Sequence, residues 1–396
     1  MKTNWNSGME YGFLEIRKMM WILGIWPLQK NDLIGTFRWF MILIIESFTI
    51  ITVLIESYEN CGDAKDSLEI FLIVEASLHA LINITFSRFY MKKIAINVNS
   101  AIDDWFFTLT KKNTNVIMAR YARIGRVIVV FQTVIALVAT LIYFLSVIMA
   151  NKQQVVIIGN DTVILWNFVL PATCLFGGVS YSTYKLLLTM QLLQAFVIFI
   201  SEFAADSFFF ALTMHLCGQL ELLRIRINEL GKQMNEKNHY RYNLRSWIKR
   251  HYELIALAKN IEDSFNINLL IRILIITFTI AISGMRSLVS MKHQNYTDVA
   301  KSMMFIQYYI IQSFLFTHAG DALQNQSESI VLAIYNITWH ELPYTTVKDL
   351  ILIMMRTKIP LQLTAGKFFY ITRRTTTDIL KTALTYISFL QVTMEE

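Results

Sequence analysis

Long apolar stretches separated by shorter polar segments dominate the chain. An α-helix needs about 20 mainly apolar residues to cross the hydrocarbon core of a bilayer. Six stretches have this length and character: Ile34–Ile55, Leu68–Tyr90, Arg126–Ala150, Leu186–Leu212, Ile267–Val289 and Val299–Thr317. A seventh stretch, Ile379–Met394, is weaker because it contains Lys381 and several threonines. The pattern predicts an all-α fold, a seven-transmembrane helix bundle.

The segments between the spans differ in charge, and this difference predicts on which side of the membrane each lies. Of the 36 Lys and Arg residues, 28 fall in the N-terminal segment and the second, fourth and sixth loops, and only five fall on the alternate side. Cytoplasmic loops carry the excess of Lys and Arg in membrane proteins. We therefore expect a cytoplasmic N-terminus and an extracellular C-terminus. This orientation is the inverse of that of G-protein-coupled receptors.

The predicted spans divide the chain into membrane and cytoplasmic parts. The short apolar run Met19–Trp26 cannot cross a bilayer and predicts an interfacial or re-entrant helix in the N-terminal segment. The predicted parts are a cytoplasmic N-terminal segment (1–33), spans one to four (34–212), cytoplasmic anchor helices (213–265), spans five and six (266–320), a further anchor segment (321–375), and span seven with a short extracellular tail (376–396).

Apolar residues between spans four and five recur at helical spacing. The first seam consists of Leu216, Leu220, Leu223, Ile227 and Leu230. The second seam consists of Trp247, Leu254, Leu257 and Ile261. These stripes predict helices that extend the spans beyond the membrane. We expect them to form a bundle through which subunits associate, and an intrachain hairpin is the alternative.

Span seven carries the most informative polar pattern. Asp378, Thr382, Thr385, Phe389 and Val392 follow one another at 4-3-4-3 spacing and therefore share one helix face. A threonine-lined stripe on a membrane helix favours contact with water or protein over lipid. Four such helices around an axis would line a narrow pore with an apolar ring near its outer end, which can gate by dewetting. The alternative is an ordinary helix buried at an interface.

The outer halves of spans two, three, four and six are rich in aromatic residues and Met. An apolar cavity with few polar groups suits a small apolar ligand. The residues predicted to line it are Phe71, Leu78, His79, Tyr143, Phe144, Met190, Gln194, Phe305, Tyr308 and Tyr309. Packing of the bundle core is the alternative for each of them.

Composition narrows the possible functional classes of the protein further. Hydrophobic residues make up 55% of the chain and charged residues 16%, as expected for a membrane bundle. The net charge of +7 sorts to one side of the predicted membrane, so it does not indicate nucleic-acid binding. The sequence contains no catalytic motif, phosphate-binding loop or CxxC pair, and we expect neither an enzyme nor a cofactor or metal site.

Two kinds of covalent modification are predicted on the outer side. Cys61 and Cys174 both fall there, and a disulfide between them is possible, although their spacing does not require it. Asn160 and Asn295 each begin an Asn-x-Thr pattern on that side and are candidate glycosylation sites.

At this point the sequence resembles the insect odorant receptor family. Three regions carry the resemblance: DSFFFALTMHLCGQ (206–219); GDAL (320–323) with AIYNITW (333–339); and MRTKIP (355–360) with TAGKF (364–368) and TYISFL (385–390). The resemblance extends over the whole chain and is densest near the C-terminus. Each region alone is weak, but together they are specific.

The resemblance implies an odorant-gated, non-selective cation channel in the plasma membrane of sensory neuron dendrites. It implies a heterotetramer in which a tuning subunit joins the family's co-receptor, with a small volatile ligand in the outer half of the bundle, membrane lipid around it and span seven lining the pore. By position, Tyr386, Phe389, Leu390 and Gln391 would lie at or beside the gate. The run Ile387-Ser388-Phe389 departs from the commoner family pattern, which leaves the gate residue open between Phe389 and Leu390.

Two alternatives to this function remain open from the sequence. A related gustatory-type receptor would assemble into a ligand-gated channel without a co-receptor. A membrane transporter would move a substrate without ligand-gated current. The length of 396 residues favours a tuning subunit over the co-receptor, because the chain lacks the long cytoplasmic insertion that the resemblance associates with the co-receptor.

Overall fold

The computed structural model describes most of the chain as long helices. The described residues are 5, 7–29, 32–58, 64–108, 112–149, 154–158, 161–166, 168–170, 172–176, 179–232, 237–337, 339 and 342–395. The helices are α1 (Ser7–Ile22), α2 (Asp32–Tyr58), α3 (Ala64–Phe89), α4 (Met91–Thr108), α5 (Lys112–Met149), α6 (Thr173–Phe176), α7 (Tyr181–Lys232), α8 (Lys237–Lys292), α9 (Tyr296–Tyr335), α10 (Tyr344–Thr357) and α11 (Arg373–Glu395).

Two small antiparallel hairpins interrupt the helices. Strands β1 (Gln154–Ile158) and β2 (Asp161–Leu165) pair between α5 and α6, with Gln154 opposite Leu165. Strands β3 (Thr364–Ala365) and β4 (Phe369–Tyr370) pair between α10 and α11 around Gly366, which has a positive φ of 58°. The apolar spans predict neither hairpin.

The predicted spans one to seven fall on α2, α3, α5, α7, α8, α9 and α11 in that order. By length and apolar composition, five helices of the described part of the chain suffice to cross a membrane: Asp32–Tyr58, Ile70–Phe89, Thr114–Ile142, Tyr181–Leu230 and Tyr242–Lys292. These carry spans one to five. The helices of spans six and seven, α9 and α11, contain more polar residues and are not among the five.

Three of these helices are much longer than a membrane span. Helix α7 has 52 residues, α8 has 56 and α9 has 40. At about 1.5 Å per residue, α7 is roughly 80 Å long, more than twice the thickness of the hydrocarbon core. The parts of α7 beyond Leu212 and of α8 before Ile267 therefore extend outside the predicted spans, on the side predicted to be cytoplasmic.

The chain forms two compact units. The N-terminal unit comprises residues 15–89 and 128–207, and the C-terminal unit comprises residues 1–14, 90–127 and 208–396. In the N-terminal unit, α2 packs along α3. In the C-terminal unit, α8 packs most extensively against α9, and α11 packs against both. The ring of Phe209 lies 5.3 Å from that of Phe265 and 5.8 Å from that of Phe316, which joins α7, α8 and α9.

The two apolar seams predicted between spans four and five are buried within the single chain. All five members of the first seam are buried, as are Trp247, Leu254 and Ile261 of the second, and Leu257 is half-buried. The indole Nε1 of Trp247 donates a hydrogen bond of 2.8 Å to the carbonyl of Leu223, one member of each seam. The seams therefore pack within the single chain, as the intrachain alternative expects, and the Trp247–Leu223 hydrogen bond joins α7 to α8 there. Whether this region also contributes to subunit association stays a prediction.

Glu221 lies at the centre of a hydrogen-bonded cluster in the C-terminal unit, outside the predicted spans. Its carboxylate accepts from the hydroxyl of Tyr121 at 2.7 Å and from the guanidinium of Arg120 at 2.5 Å, and Gln326 Nε2 donates to the Tyr121 hydroxyl at 2.9 Å. Burial alone would raise the pKa of Glu221, but these hydrogen bonds outweigh it and leave the pKa below its ordinary value. The cluster holds α5, α7 and α9 together.

Asp104 on α4 forms a second polar junction in this unit. Its carboxylate pairs with His215 Nε2 at 3.1 Å and with the guanidinium of Arg250. Arg250 also donates to Gln219 Oε1 at 3.1 Å. Because Asp104 is nearly buried, both partners compensate for its loss of hydration. This junction fixes α4 to α7 and α8.

Helix α1 carries an apolar stripe on one face, and the short run Met19–Trp26 contains only the C-terminal part of that stripe. Met9, Phe13, Ile16, Met20 and Leu23 follow at 4-3-4-3 spacing and are all buried. The helix begins at Ser7, well before the apolar run, and its first half carries buried apolar residues at helical spacing among polar ones. An amphipathic helix of 16 residues is therefore present where the sequence indicated a run of about eight.

Helix α9 passes the start of α11 at a glycine. A Cβ atom at Gly320 would overlap the backbone carbonyl oxygen of Ile371. At Gly12 on α1, by contrast, a Cβ would make an ordinary contact of 3.6 Å with the Cβ of Ala122. An added methyl group at Gly320 would therefore force the backbone near Ile371 to move, whereas at Gly12 it would fit without such movement.

We expect Gly320→Ala to lower the stability of the folded chain by about 1–3 kcal/mol, because it overpacks the contact between α9 and the residues before α11. Gly12→Ala is the control and should leave stability unchanged or slightly raised, since alanine favours helix over glycine. Thermal denaturation of the detergent-solubilised protein, followed by size-exclusion chromatography, measures both. Equal melting temperatures for the two variants would contradict the prediction.

Candidate functional site

Helix α11, the predicted span seven, buries one face and exposes the other. Ile379 and Ala383 are buried, and Ile387 and Leu390 are half-buried, so positions spaced by four or three residues face α8 and α9. Gly284 on α8 leaves room for this face, since a Cβ there would overlap the side chain of Ile387. The ring of Phe278 stacks on that of Tyr386 at 5.8 Å. Close packing therefore fixes the rotation of α11 about its own axis.

The first turn of α11 is attached to α9 through polar contacts. Asp321 accepts a hydrogen bond of 3.2 Å from the backbone N–H of Arg373 and pairs with its guanidinium Nε at 3.0 Å. One turn later the hydroxyls of Thr317 and Thr376 are 2.7 Å apart. A carboxylate at a helix N-terminus satisfies a free N–H group and complements the helix dipole. Asp321 therefore fixes where α11 begins.

The opposite face of α11 contains the stripe predicted from the sequence. Asp378, Thr382, Thr385, Phe389 and Val392 are all exposed in the single chain. Phe389 is 64% exposed and Val392 is 59% exposed. The packing of α11 against α8 and α9 uses the other face, so these five residues remain largely exposed in the single chain. The stripe is available to water, lipid or another subunit.

The hydroxyl groups of the stripe are hydrogen-bonded within the helix. Thr382 donates to the carbonyl of Asp378 at 2.8 Å, and Thr385 donates to the carbonyl of Lys381 at 2.9 Å. Ser388, beside the stripe, donates in the same way to Leu384 at 3.0 Å. Each hydroxyl proton is thus satisfied, while the oxygen can still accept a hydrogen bond from water. This face therefore tolerates water without requiring it.

The four candidate gate residues occupy different positions on α11. Phe389 lies on the exposed stripe, whereas Leu390 is half-buried toward the bundle. Tyr386 is 42% exposed with its ring stacked on Phe278, and Gln391 is exposed. The geometry thus distinguishes the two residues that the sequence left open. The role of each in gating stays a prediction.

Five of the predicted ligand-binding residues lie in the described part of the N-terminal unit. His79 and Gln194 are buried, whereas Phe71, Leu78 and Met190 are exposed in the single chain. Phe71 and Leu78 are separated by two helical turns and share one face of α3, and His79 lies on another. Tyr143 and Phe144 belong to α5, and their side chains lie outside the described part of the structure.

The other three predicted ligand-binding residues lie on α9 in the C-terminal unit. Phe305 is 38% exposed, Tyr308 is half-buried and Tyr309 is buried. The rings of Tyr308 and Tyr309 are 5.0 Å apart with an edge-on arrangement, and the guanidinium of Arg272 lies 5.9 Å from the Tyr309 ring centroid. Tyr309 therefore contributes to packing around a buried cation. A ligand-binding role for this set stays a prediction.

His79 has a partner that sequence reasoning did not assign to it. Its Nδ1 is hydrogen-bonded to the carboxylate of Glu202 on α7, and the amide of Asn83 lies 3.4 Å from the same atom. His79 is fully buried and Glu202 nearly so. The sequence did offer a signal: both residues are ionisable and lie within apolar spans, and ionisable residues in such spans are usually paired.

Glu46 on α2 interacts electrostatically with Glu202 of this pair. Glu46 is fully buried, and within the described part of the chain neither of its carboxylate oxygens has a hydrogen-bond partner. The three side chains put two acids and one histidine in the interior of the N-terminal unit. Among the described residues, no group of three such side chains could hold a metal ion.

The predicted modification sites are only partly within the described structure. Cys61 and Asn160 lie outside the described residues. Cys174 is the second residue of α6, but its side chain lies outside the described part of the structure. Cys217 is a buried free thiol. Asn295 caps α9: its Oδ1 accepts from Asp298 N–H, and its Nδ2 donates to the Asp298 carboxylate at 2.8 Å. The disulfide and both glycosylation sites stay predictions.

Comparison with known proteins identifies similar sequences. The family model described as 7tm Odorant receptor matches residues 67–384. Odorant receptor 13a of Drosophila melanogaster is 27% identical over 203 residues, which are 48% of this chain and 48% of that protein. Odorant receptor 85b of the same fly is 26% identical over 144 residues, which are 36% of each protein. The chain spans about half the length, or less, of these curated relatives.

Solved structures show the same fold. Olfactory receptor OR5 from Machilis hrabei, in complex with eugenol, superposes with a TM-score of 0.76 at 13% identity, covering 97% of this chain and 100% of that one. A second structure of the same receptor gives a TM-score of 0.76 at 12% identity. The likeness confirms the predicted all-α, seven-transmembrane fold.

The pair of His79 and Glu202 leads to a stability prediction. We expect Glu202→Ala to destabilise the fold by about 1–3 kcal/mol, because it removes the acceptor of a fully buried imidazole. Glu202→Gln retains an acceptor and should cost less. Thermal denaturation in detergent measures both variants.

Ser201→Ala is the matched control for this experiment. The Ser201 hydroxyl is bonded only locally, to the carbonyl of Val197 at 2.7 Å, so its loss should have little effect. If Glu202→Ala were no less stable than Ser201→Ala, the pair would not contribute to the fold.

Proposed function

The chain belongs to the 7tm odorant receptor family of insects, and we propose that it is a tuning subunit of an odorant-gated, non-selective cation channel. The family consists of multi-pass membrane receptors and not of enzymes. Beyond family membership, we propose that the protein conducts ions, that it assembles with other subunits, and that the ligand binds in the outer half of the bundle. It places the protein in the plasma membrane of sensory neuron dendrites.

The observation that carries the proposal is the exposed face of α11. A helix that faced only lipid would present apolar side chains, yet this face presents Asp378, Thr382 and Thr385. The packing of Ile379 and Ala383 against α8 and α9 prevents these polar residues from turning inward. Water in a pore, or a polar surface of another subunit, would solvate the Asp378 carboxylate and the acceptor oxygens of the threonines better than lipid. Four subunits with this face toward a common axis would form a conduction pathway.

Phe389 and Val392 would form the outer, apolar part of such a pathway. A narrow ring of large apolar side chains can exclude water and block ions without a mechanical plug. The exposure of Phe389 and the half-burial of Leu390 support Phe389 as the residue that faces the axis. Opening would then require the α11 helices to move apart so that the ring becomes wetted.

The proposed ligand is a small volatile molecule in the outer half of the bundle. The related receptor OR5 was solved with eugenol, a small aromatic molecule, which supports a ligand of this size. The aromatic and Met residues predicted from the sequence, with His79 and Gln194 as buried polar groups, have the chemistry of such a site. To open the channel, the ligand must bind the open state more tightly than the closed one. Gating would depend on side-chain packing and on the desolvation of the ligand and the pore, with no covalent step.

We propose a heterotetramer with the odorant receptor co-receptor. The two seams beyond spans four and five are buried within the chain, so subunit contacts must use other surfaces. Helix α10 presents Ile351, Leu352 and Met355 on its exposed side. Exposed apolar residues at this spacing on an amphipathic helix support a contact with another subunit. A gustatory-type channel that assembles from this chain alone is the second candidate.

Whole-cell current tests the assembly. Cells that express this chain together with an insect odorant co-receptor should give inward cation current to some members of a broad volatile panel. Cells that express this chain alone should be silent although the chain reaches the surface. Current from the chain alone would transfer it to the self-assembling class. Substrate uptake without ligand-gated current would indicate a transporter and contradict the channel proposal.

Cysteine accessibility tests the pore. Thr385→Cys should be modified by a charged, membrane-impermeant thiol reagent in the presence of odorant, and the current should fall several-fold. Ala383→Cys is the control, because Ala383 is buried against the bundle. Equal modification at both positions, or at neither, would contradict a pore lined by this face.

Truncation tests the gate. We expect Phe389→Ala to produce current without odorant, because a smaller ring stays wetted in the closed state. Leu390→Ala should leave the resting current unchanged, since Leu390 faces the bundle. The ratio of resting to odorant-evoked current measures both variants at matched surface expression. The reverse result would assign the gate to Leu390.

A further inference from the structure

Two opposite charges lie at the inner end of the exposed face of α11. Asp378 belongs to the stripe itself, and Lys381 follows it by three residues and precedes Thr382. Both side chains are exposed, and within the described part of the chain neither takes part in an ion pair. An unpaired charge within a membrane helix is usually functional, because lipid would not solvate it.

Helix geometry places Lys381 on the same side of α11 as Asp378. At 100° per residue, Lys381 lies about 60° from Asp378 around the helix, on the same side as Thr385. Side chains on a helix tilt toward its N-terminus, and a lysine extends its charge toward the nearest water. Because α11 begins at Arg373, that direction leads to the end of the helix predicted to be cytoplasmic.

The neighbouring charges do not neutralise this region. Arg373 is paired with Asp321 on α9 and is therefore directed toward the bundle. Arg374 is exposed one turn before Asp378. The exposed set Arg374, Asp378 and Lys381 carries one more positive charge than negative in each copy of the chain. A cation channel would gain no attraction for cations from this set.

We propose that Lys381 is a residue that determines which cations permeate, disfavouring divalent ions at the inner mouth of the pore, with Asp378 acting in the opposite direction. The inference rests on the proposed pore-lining role of α11. The lysine repels a divalent cation twice as strongly as a monovalent one, so its charge discriminates between Ca²⁺ and Na⁺. The threonines above it present only hydroxyl oxygens and cannot discriminate by charge.

The expected effect follows from Coulomb's law. A unit charge about 10 Å away in water changes the local concentration of a monovalent ion by roughly twofold and that of a divalent ion by roughly fourfold. Removing the lysine should therefore raise the ratio of Ca²⁺ to Na⁺ permeability by roughly twofold for each copy of the chain in the channel. The effect should shrink as ionic strength rises, since the Debye length falls from about 10 Å at 0.1 M to about 3 Å at 1 M.

Reversal potentials of the odorant-evoked current test the inference. The full chain is expressed with the co-receptor, and the external solution is changed from Na⁺ to Ca²⁺. Lys381→Gln should shift the reversal potential in Ca²⁺ to more positive values. Lys381→Arg retains the charge and should match the unaltered chain. Asp378→Asn should shift the potential in the opposite direction, and it serves as an independent test if Lys381→Gln does not reach the surface.

The outcomes separate this inference from the channel proposal. If Lys381→Gln and Asp378→Asn leave the reversal potential unchanged while Thr385→Cys is modified in the pore, the inference is wrong and α11 still lines the pore. If none of the three substitutions affects conduction, the pore-lining role itself is wrong. A shift that Lys381→Arg reproduces would also overturn the inference, because it would not depend on charge.

Discussion

The requirement that backbone polar groups be hydrogen-bonded inside an apolar medium governs this structure. A bilayer offers no water to an exposed N–H or C=O group, so a spanning segment must satisfy its backbone within itself. The chain does this with helices that are often far longer than the membrane. Many polar side chains follow the same rule: threonine hydroxyls bond to carbonyls of their own helix, and His79 bonds to Glu202. The carboxylate of Glu46 is an exception among the described residues, since neither of its oxygens has a hydrogen-bond partner. The threonine hydroxyls on the exposed face of α11 are satisfied within their own helix.

Once the helices are self-sufficient, small residues and a few polar contacts decide how they pack. Gly284 lets α11 approach α8 closely, and Gly320 lets the residues before α11 approach α9 closely. Asp321 fixes the first turn of α11. These contacts act on one side of α11 only. The other side leaves its threonines and Phe389 exposed in the single chain, so the packing of α11 and its proposed role in conduction follow from the same arrangement.

The sequence predicted the parts of the fold that depend on length and periodicity. The seven predicted spans fall on helices. For the first six, a run of about 20 mainly apolar residues has the length of a helix that crosses a bilayer, whereas span seven is shorter and more polar. The five residues of the α11 stripe share one exposed face, as their 4-3-4-3 spacing predicts, while the pore-lining role of that face stays a prediction. By contrast, α4, α10 and the hairpins were not predicted, because they contain too few apolar residues in sequence to be recognised. The pairing of His79 with Glu202 was also missed, since it depends on which helices are neighbours. For the same reason, the sequence could not decide whether the anchor seams pack between subunits or within one chain, and in the structure they are buried within the single chain.

The continuity of α8 has a consequence for how such receptors can diverge. This single helix of 56 residues accepts the side-chain amide of Asn97 at the carbonyl of Leu257, and it also carries Phe278 and Gly284, which position α11. An insertion of one residue between these points would rotate everything beyond it by about 100° and shift it by about 1.5 Å. Phe278 would then turn away from Tyr386. Descendants of this sequence can therefore change exposed side chains of α8, but they must keep the number of residues between Leu257 and Gly284 if these contacts are to persist.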